Sequence, residues 1–242
     1  MNYFIIFLVC VLTSSYGSLF GGGAMISLPV MMMLGIPPHI ALSNNRIGAL
    51  GVHIGFLIQV FKSKNIQYKY VLPLSVLAVF TSLLGSFTLI SLPEDLIQNA
   101  ISLLLILMFL FMIFKPEIGV RKTKASYKKR VLGWIFTSLV LLWQSTFGMI
   151  ASVLYFVLCY FFGLTLFQAS STHKIPAIFS GVVATIVFYS YGLIDPVLVL
   201  VIFSADLIGS YIGSNFFLHQ NLKTTAYIFK TIILFNICFL LF

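Results

Sequence analysis

Residues 3–34 read YFIIFLVCVLTSSYGSLFGGGAMISLPVMMML, an apolar stretch of 32 residues that three consecutive glycines, Gly21–Gly23, interrupt. A straight helix of this length would be about 48 Å long, whereas the hydrocarbon core of a bilayer is about 30 Å thick. The stretch must therefore tilt strongly, re-enter or break. Because the glycines stand in its middle, we predict a discontinuous membrane helix.

The rest of the chain is equally poor in charge. Of the 242 residues, 60% are apolar and 8% are charged, whereas soluble domains carry about 25% charged residues. So little polar surface would not cover a water-soluble globule, and the bilayer is the solvent that suits the chain. The apolar runs are continuous rather than alternating, which favours helices over the strands of a membrane barrel.

Further apolar runs bring the prediction to about eight transmembrane segments in an all-α, polytopic membrane protein. Each of them approaches or exceeds the roughly 20 residues that a membrane helix needs. With a segment that begins near Arg46, they cover 70–92, 96–114, 131–162, 166–191, 196–218 and 225–242.

The net charge of +9 comes mostly from two short loops. Basic residues in short loops between apolar helices follow the positive-inside rule, which places both loops in the cytoplasm and argues against a nucleic-acid partner. The bilayer is the predicted partner of this surface. The basic residues of the two loops are Lys62, Lys64 and Lys69, and then Lys115, Arg121, Lys122, Lys124, Lys128, Lys129 and Arg130.

The sequence also contains an internal duplication. The stretch 131–162 is as long as 3–34 and is interrupted near Gly148. We predict a first repeat at 1–114, a basic cytoplasmic linker at 115–130 and a second repeat at 131–242. Each repeat would hold four segments, and its first helix would be broken at glycine.

Short matches in the same order support the two repeats. Aligned from Gly35 and Gly163, the segments that follow share an alanine, a serine and a final cation. Leu84-Gly85-Ser86 similarly falls on Ile208-Gly209-Ser210. The remaining matches are Ala41 with Ala169, Ser43 with Ser171, Arg46 with Lys174, and Phe20-Gly21 with Phe147-Gly148.

Paired helix breaks at matching positions of two halves predict a transporter binding site. The amide groups freed at the start of a half-helix attract an anion. Close packing of helices is the alternative role of these glycines. Packing is also the role that we predict for the GxxxG pairs Gly51–Gly55 and Gly209–Gly213.

Arg46 and Lys174 are cations at equivalent repeat positions beside polar residues. A cation at membrane depth costs several kcal/mol and usually lines a polar cavity, so the pair predicts one composite site, unless both sit at the membrane interface as orientation charges. Guanidinium and ammonium groups suit an oxyanion. The predicted substrate-binding residues are Gly21, Gly22, Gly23, Ser43, Asn44, Asn45, Arg46, Gln144, Gly148, Ser171, Thr172, His173 and Lys174.

Two further polar residues are candidates for coupling or charge pairing. Asp206 is the acidic residue well inside a predicted helix, where it would either neutralise Lys174 or carry a coupling proton. His53 lies seven residues after Arg46, so one helix would place both on the same face. It would either titrate near neutral pH or hydrogen-bond a neighbouring helix.

The motif Gly21-Gly22-Gly23-Ala24, with Leu28-Pro29, Gly35-Ile-Pro and Ala41-Leu-Ser-Asn after it, resembles the sulfite exporter TauE/SafE family, also called the toluene sulfonate uptake permeases. The resemblance covers nearly the whole chain. It implies about eight segments, a multi-pass place in the bacterial cell (inner) membrane, and a sulfur-containing anion as substrate. In the second half, Gly148-Met149-Ile150 replaces the glycine run.

We therefore predict a secondary transporter, by alternating access, of a small oxyanion such as sulfite, sulfoacetate or another organosulfonate, either coupled to protons or driven by the membrane potential. No cofactor, metal or catalytic residue is predicted, and a homo-oligomer is compatible with the sequence. One alternative is a metal-ion transporter that uses His53, His173 and nearby methionines. Another is a membrane-embedded enzyme that uses Ser145, His53, His173 and Asp206, although neither GxSxG nor HExxH is present. A non-transporting assembly factor is a third.

Overall fold

A computed structural model describes residues 2–61, 65–97, 99, 126–149 and 151–218. Regular secondary structure in this part of the chain is helical, which confirms the predicted all-α class. The helices are α1 (Tyr3–Phe20), α2 (Ala24–Met33), α3 (Pro38–Gly48), α4 (Leu50–Val60), α5 (Tyr68–Ser91), α6 (Tyr127–Phe147), α7 (Ala151–Phe162), α8 (Leu166–Ser190) and α9 (Pro196–Leu218).

Four helices of the described chain are long and apolar enough to cross a membrane. They are α1, α5, α8 and the part of α9 from Pro196 to Phe216. Helices α2 and α7 are apolar but shorter. The predicted segment 225–242, nearly all of the segment 96–114, and the linker up to residue 125 lie outside the described residues. The described helices are those of an integral membrane protein.

Both long apolar stretches break where the sequence places glycine. Helix α1 ends at Gly21, whose φ of 73° and ψ of 166° lie in a region essentially restricted to glycine. Helix α6 ends at Gly148 in the left-handed conformation, with φ 69° and ψ 1°. The N–H of each glycine donates to the carbonyl four residues earlier, at 2.8 Å. Helices α2 and α7 then continue as separate half-helices.

Helices α3 and α4 follow each other at Ala49 without a loop. Ala49 keeps helical dihedral angles, with φ −60° and ψ −12°, and its carbonyl accepts from the N–H of His53 at 3.2 Å. The polar residues near Arg46 therefore lie just before a junction at which the chain keeps right-handed helical angles.

Glycines bring the longest helices into close contact. A Cβ atom at Gly85 of α5 would lie 2.6 Å from the Cβ atom of Ser145 on α6. Gly209 of α9 lies in the same way against Ser14 of α1, and Gly51 of α4 lies against α9. These contacts confirm the packing role predicted for the GxxxG pairs.

The bundle is apolar outside, and its interior holds polar side chains beside a larger set of buried apolar ones. Large side chains such as Leu12, Phe80, Ile186 and Leu200 are more than 60% exposed and form a lipid-facing surface. Hydroxyl and amide side chains are buried between the helices instead. They include Ser14, Ser18, Ser27, Asn44, Asn45, Ser82, Ser86, Thr137, Ser145, Ser170, Ser171, Thr172, Ser210 and Ser214. Buried polar side chains within an apolar shell are suited to a site for a hydrophilic ligand.

Candidate functional site

A cavity of about 110 Å³ lies where both helix breaks meet α3, α4, α8 and α9. It is the size of a small ligand rather than of a drug-like molecule, which needs several hundred Å³. The predicted residues that line it are Gly21, Gly22, Gly23, Asn45, Arg46, His53, Gln144, Gly148, His173, Lys174 and Asp206. Residues from both halves of the sequence therefore share one cavity.

The two helix breaks touch each other through their backbones. A Cβ atom at Gly21 would lie 2.5 Å from the backbone nitrogen of Ser152 and 2.9 Å from the carbonyl carbon of Ala151. At Gly23 it would lie 2.9 Å from the carbonyl oxygen of Thr13, so α2 begins against the side of α1. The starts of α2 and α7 thus both lie at the cavity.

In the described chain, the Arg46 guanidinium donates to serine hydroxyls through one of its two terminal nitrogens. Its Nη2 donates to the hydroxyl oxygens of Ser82 at 3.0 Å and Ser180 at 3.1 Å. The Ser82 hydroxyl in turn donates to the carbonyl of Ser180 at 2.6 Å, which fixes that pair. The Arg46 Nη1 is buried and has no hydrogen-bond partner. Arg46 therefore offers an unused charged donor at a cavity wall.

Lys174 lies in an aromatic and phenolic environment. Its side chain is 1% exposed, and its Nζ lies 3.4 Å from the Tyr155 hydroxyl and 4.8 Å from the centroid of the Phe56 ring. Ring faces attract a cation, but less than a carboxylate at close range does. Within the described residues no carboxylate forms an ion pair with Lys174, which leaves its charge available to a ligand.

Two imidazoles stand beside this ammonium group. The rings of His53 and His173 meet edge-on with centroids 6.3 Å apart, and His173 also meets the Tyr155 ring at 5.7 Å. The Nδ1 atoms of both histidines are buried without a partner, as is the Oε1 of Gln144. The cavity therefore contains donors and acceptors that protein groups do not satisfy.

Asp206 brings an acidic group from α9 to the same cavity. Its side chain is 6% exposed and lies beside the Ser14 hydroxyl of α1. In the described chain, no three histidine, cysteine or acidic side chains are grouped so that they could hold a metal ion.

Four of the predicted substrate-binding residues do not line the cavity. Ser43 and Asn44 donate to the carbonyl of Leu193 at 2.8 and 2.9 Å, and Asn44 Oδ1 accepts from the N–H of Asp195 at 2.8 Å. They hold the turn before α9 instead. Successive helical residues point about 100° apart, so Asn45 and Arg46 face the cavity while these two face the turn.

The counterparts of Ser43 and Asn44 in the second half, Ser171 and Thr172, do not line the cavity either. Thr172 accepts a hydrogen bond at 3.0 Å from the backbone N–H of Gln67, just before α5. The Ser171 hydroxyl is buried without a partner. Of the predicted second-half cluster on α8, His173 and Lys174 reach the cavity wall.

Several residues of the site were not singled out from the sequence as ligands. Ser82 and Ser180 orient Arg46, and Tyr155 contacts Lys174. The lining also contains Thr13, Ser14, Ser27, Ser145 and Ser180. The signal that could have found them is a hydroxyl inside an otherwise apolar helix, but hydroxyls are common there because they can bond to their own helix backbone.

The helices and the cavity together define a helical membrane protein with a buried site that contains polar side chains. The chain belongs to the sulfite exporter TauE/SafE family, whose model matches residues 6–240.

Curated relatives agree with this assignment. A probable membrane transporter protein of Haemophilus influenzae is 20% identical over 212 residues, which are 87% of this chain and 83% of the relative. The probable membrane transporter protein ORF9 of a Sinorhizobium species is 26% identical over 54% of this chain and 49% of its own length. YfcA of Escherichia coli K12, another probable membrane transporter protein, is 25% identical over 48% of this chain and 43% of its own length. No solved structure matches the chain.

Proposed function

We propose that this protein is a secondary transporter that binds a small oxyanion in the cavity between its two helix breaks. The observation that carries the proposal is the buried Nη1 of Arg46, a charged donor without a protein partner at the cavity wall. A buried charged donor left unpaired costs more than an ordinary lost hydrogen bond, and an oxyanion is the ligand that satisfies it best.

The other groups around the cavity fit the same ligand. Lys174 adds a second positive charge without an ion-pair partner in the described chain. The starts of α2 and α7 add the positive ends of two helix dipoles. His173 and Gln144 supply neutral polar groups. A sulfur oxyanion such as sulfite, sulfoacetate or another organosulfonate is the proposed substrate class, and the TauE/SafE membership supports this choice.

We also propose that the chain is built from two related halves. Helix α1 of the first half packs on α9 of the second, and α6 of the second half packs on α5 of the first. The contact in each case includes a glycine of the aligned pair, Gly209 or Gly85. This reciprocal packing supports alternating access, in which the half-helices rearrange around a site on the pseudo-symmetry axis. The proposed location is the cell (inner) membrane, crossed several times.

Ligand-induced stabilisation of the purified protein tests this proposal. Binding to the native state raises the stability by about 2.7 kcal/mol at a ligand concentration of 100 Kd. We expect sulfite or sulfoacetate, but not nickel or zinc, to raise the Tm of the wild type. Arg46→Gln should abolish the shift. The matched control is Arg130→Gln, which removes an exposed arginine at the start of α6 and should leave the shift intact.

Two results would contradict the proposal. One is an anion-induced shift of equal size in wild type and Arg46→Gln. The other is a folded wild type that no anion stabilises and that shows no anion counterflow in liposomes.

A further inference from the structure

We propose that Asp206 binds and releases the proton that moves with the anion, so that transport is a symport of anion and proton. This inference rests on the proposed function and adds the driving ion to it. Its basis is the place of one carboxyl group in a cavity whose other charged side chains are Arg46 and Lys174.

Asp206 is the acidic residue of the cavity wall. The other acidic side chains in the described chain stand at helix ends. Glu94 and Asp95 are exposed, and the carboxylate of Asp195 accepts from the N–H groups of Val197 at 2.9 Å and Leu198 at 3.0 Å, as a cap of α9. Within the cavity, Asp206 is therefore the carboxylate that can bind a proton.

The surroundings of Asp206 fit a protonated carboxyl in this conformation. No ion pair joins Asp206 to Arg46 or Lys174 within the described residues, and the polar neighbour of the carboxyl is the Ser14 hydroxyl. That hydroxyl has one proton, which it donates to the carbonyl of Cys10 at 2.6 Å. Since no basic side chain of the described chain pairs with Asp206, protonation removes the cost of its buried charge.

Charge balance connects this proton to the anion. Arg46 and Lys174 present two positive charges, and an ionised Asp206 reduces the net charge of the site to one. Protonation of Asp206 restores the second positive charge just when an anion can use it. By linkage, anion binding then raises the affinity for the proton, and the proton raises the affinity for the anion by the same factor. Proton and anion move together.

Other titratable groups lie on the helices that pack on α9 or line the same cavity. The histidines stand beside Lys174, so a proton on either would add a cation next to a cation, whereas a proton on Asp206 removes a negative charge. These groups are Cys10 and Tyr16 of α1, His39 and Arg46 of α3, His53 of α4, Tyr155 of α7, and His173 and Lys174 of α8.

Proteoliposomes separate the proton from the anion. At zero membrane potential, an outside medium one pH unit more acidic should let the wild type accumulate sulfite up to about tenfold for one proton per anion. Asp206→Asn, which mimics a permanently protonated carboxyl, should retain sulfite–sulfite counterflow and lose this accumulation. The matched control, Asp195→Asn, neutralises the acid that caps α9 outside the cavity and should accumulate sulfite like the wild type.

Gradient-driven accumulation that survives in Asp206→Asn would overturn the inference. Absent counterflow in the wild type would instead refute the proposed function, so the two failures differ. A second measurement uses the wild type, in case the variant does not insert. Sulfite added to weakly buffered protein, with the proton exchange of free sulfite subtracted, should cause uptake of about one proton per bound anion. Anion binding without proton uptake would also overturn the inference.

Discussion

The α-carbon of Gly21 lies so close to Ser152 that a Cβ atom there would be 2.5 Å from the Ser152 backbone nitrogen. These residues belong to the breaks of different halves of the chain. The end of α1 therefore rests on the first turn of α7, beside the cavity that both border. Because backbone atoms are in contact, α1 and α7 cannot move relative to each other at this point unless the contact breaks or both move together.

Gly21→Ala should disrupt this contact and destabilise the protein. The φ of 73° and ψ of 166° cost a non-glycine residue about 1–3 kcal/mol, and the new methyl group would overlap Ser152 and Ala151. We expect a lower Tm and loss of anion-induced stabilisation, both measured by thermal unfolding in detergent.

Gly192→Ala is the matched control for Gly21→Ala. Gly192 also has a positive φ, of 67°, but a Cβ atom there meets nothing within 4 Å. The free energy of unfolding of this variant should fall only by about 1–2 kcal/mol, the cost of a positive φ for alanine. The variant should still be stabilised by the anion. Equal behaviour of the two variants would show that the Gly21–Ser152 contact is unimportant.

The reciprocal packing of the two halves gives a second prediction. Gly85→Ala and Gly209→Ala should each lower the stability by about 1–3 kcal/mol, because an added methyl group overpacks α5 on α6 or α9 on α1. The neighbouring lipid-facing residues provide controls, since Leu84 is 59% and Ile208 42% exposed. Leu84→Ala and Ile208→Ala should change the Tm less. If Gly209→Ala lowers the stability and Gly85→Ala does not, the two glycines do not have equivalent roles.

The turn before α9 gives a third prediction. Asn44→Ala removes the acceptor of the Asp195 N–H and a donor to the carbonyl of Leu193. Buried groups left without partners cost about 1–3 kcal/mol, so the Tm should fall. The anion-induced shift should persist, because Asn44 does not line the cavity.

A hydroxyl on an exposed helix face is the control for Asn44→Ala. The Ser190 hydroxyl bonds within its own helix, to the carbonyl of Ile186 at 2.9 Å. Ser190→Ala should leave the Tm nearly unchanged. If Asn44→Ala keeps the Tm of the wild type but loses the anion-induced shift, Asn44 takes part in anion binding.

The sequence was informative where a residue type by itself restricts the structure. Glycine is needed at the ends of α1 and α6, so both breaks could be located from Gly21–Gly23 and Gly148. A buried cation needs polar groups around it, so Arg46 and Lys174 could be placed in one polar cavity.

Side-chain direction and long-range partners could not be read in the same way. Ser43 and Asn44 are adjacent to Asn45 and Arg46 yet face the turn before α9, because the packing of α3 on α9 sets the rotation of the helix. Ser180 meets Arg46 only after α8 has packed beside α3. Such partners depend on tertiary structure, and no local pattern marks one serine among many as the partner.

Tyr155→Phe gives the last prediction, since it removes one oxygen atom next to Lys174. The ring remains, and with it the contacts to Lys174 and His173 at 5.9 and 5.7 Å. The ammonium group loses its hydroxyl neighbour at 3.4 Å. A hydrogen bond to a charged group is worth about 1.5–3 kcal/mol. Its loss therefore raises the free-energy cost of burying Lys174 in its charged form. We expect the sulfite affinity to fall at least about tenfold, measured by calorimetric titration, and the Tm of the anion-free protein to fall as well.

Tyr160→Phe makes the same change on the same helix, away from the cavity. Tyr160 is 47% exposed, and its ring contacts Lys129 at 4.8 Å through the face that phenylalanine also provides. Its affinity for sulfite should equal that of the wild type. If Tyr155→Phe binds sulfite as tightly as Tyr160→Phe does, the Tyr155 hydroxyl does not support the charge of Lys174. The anion would then depend on Arg46 and the helix ends alone.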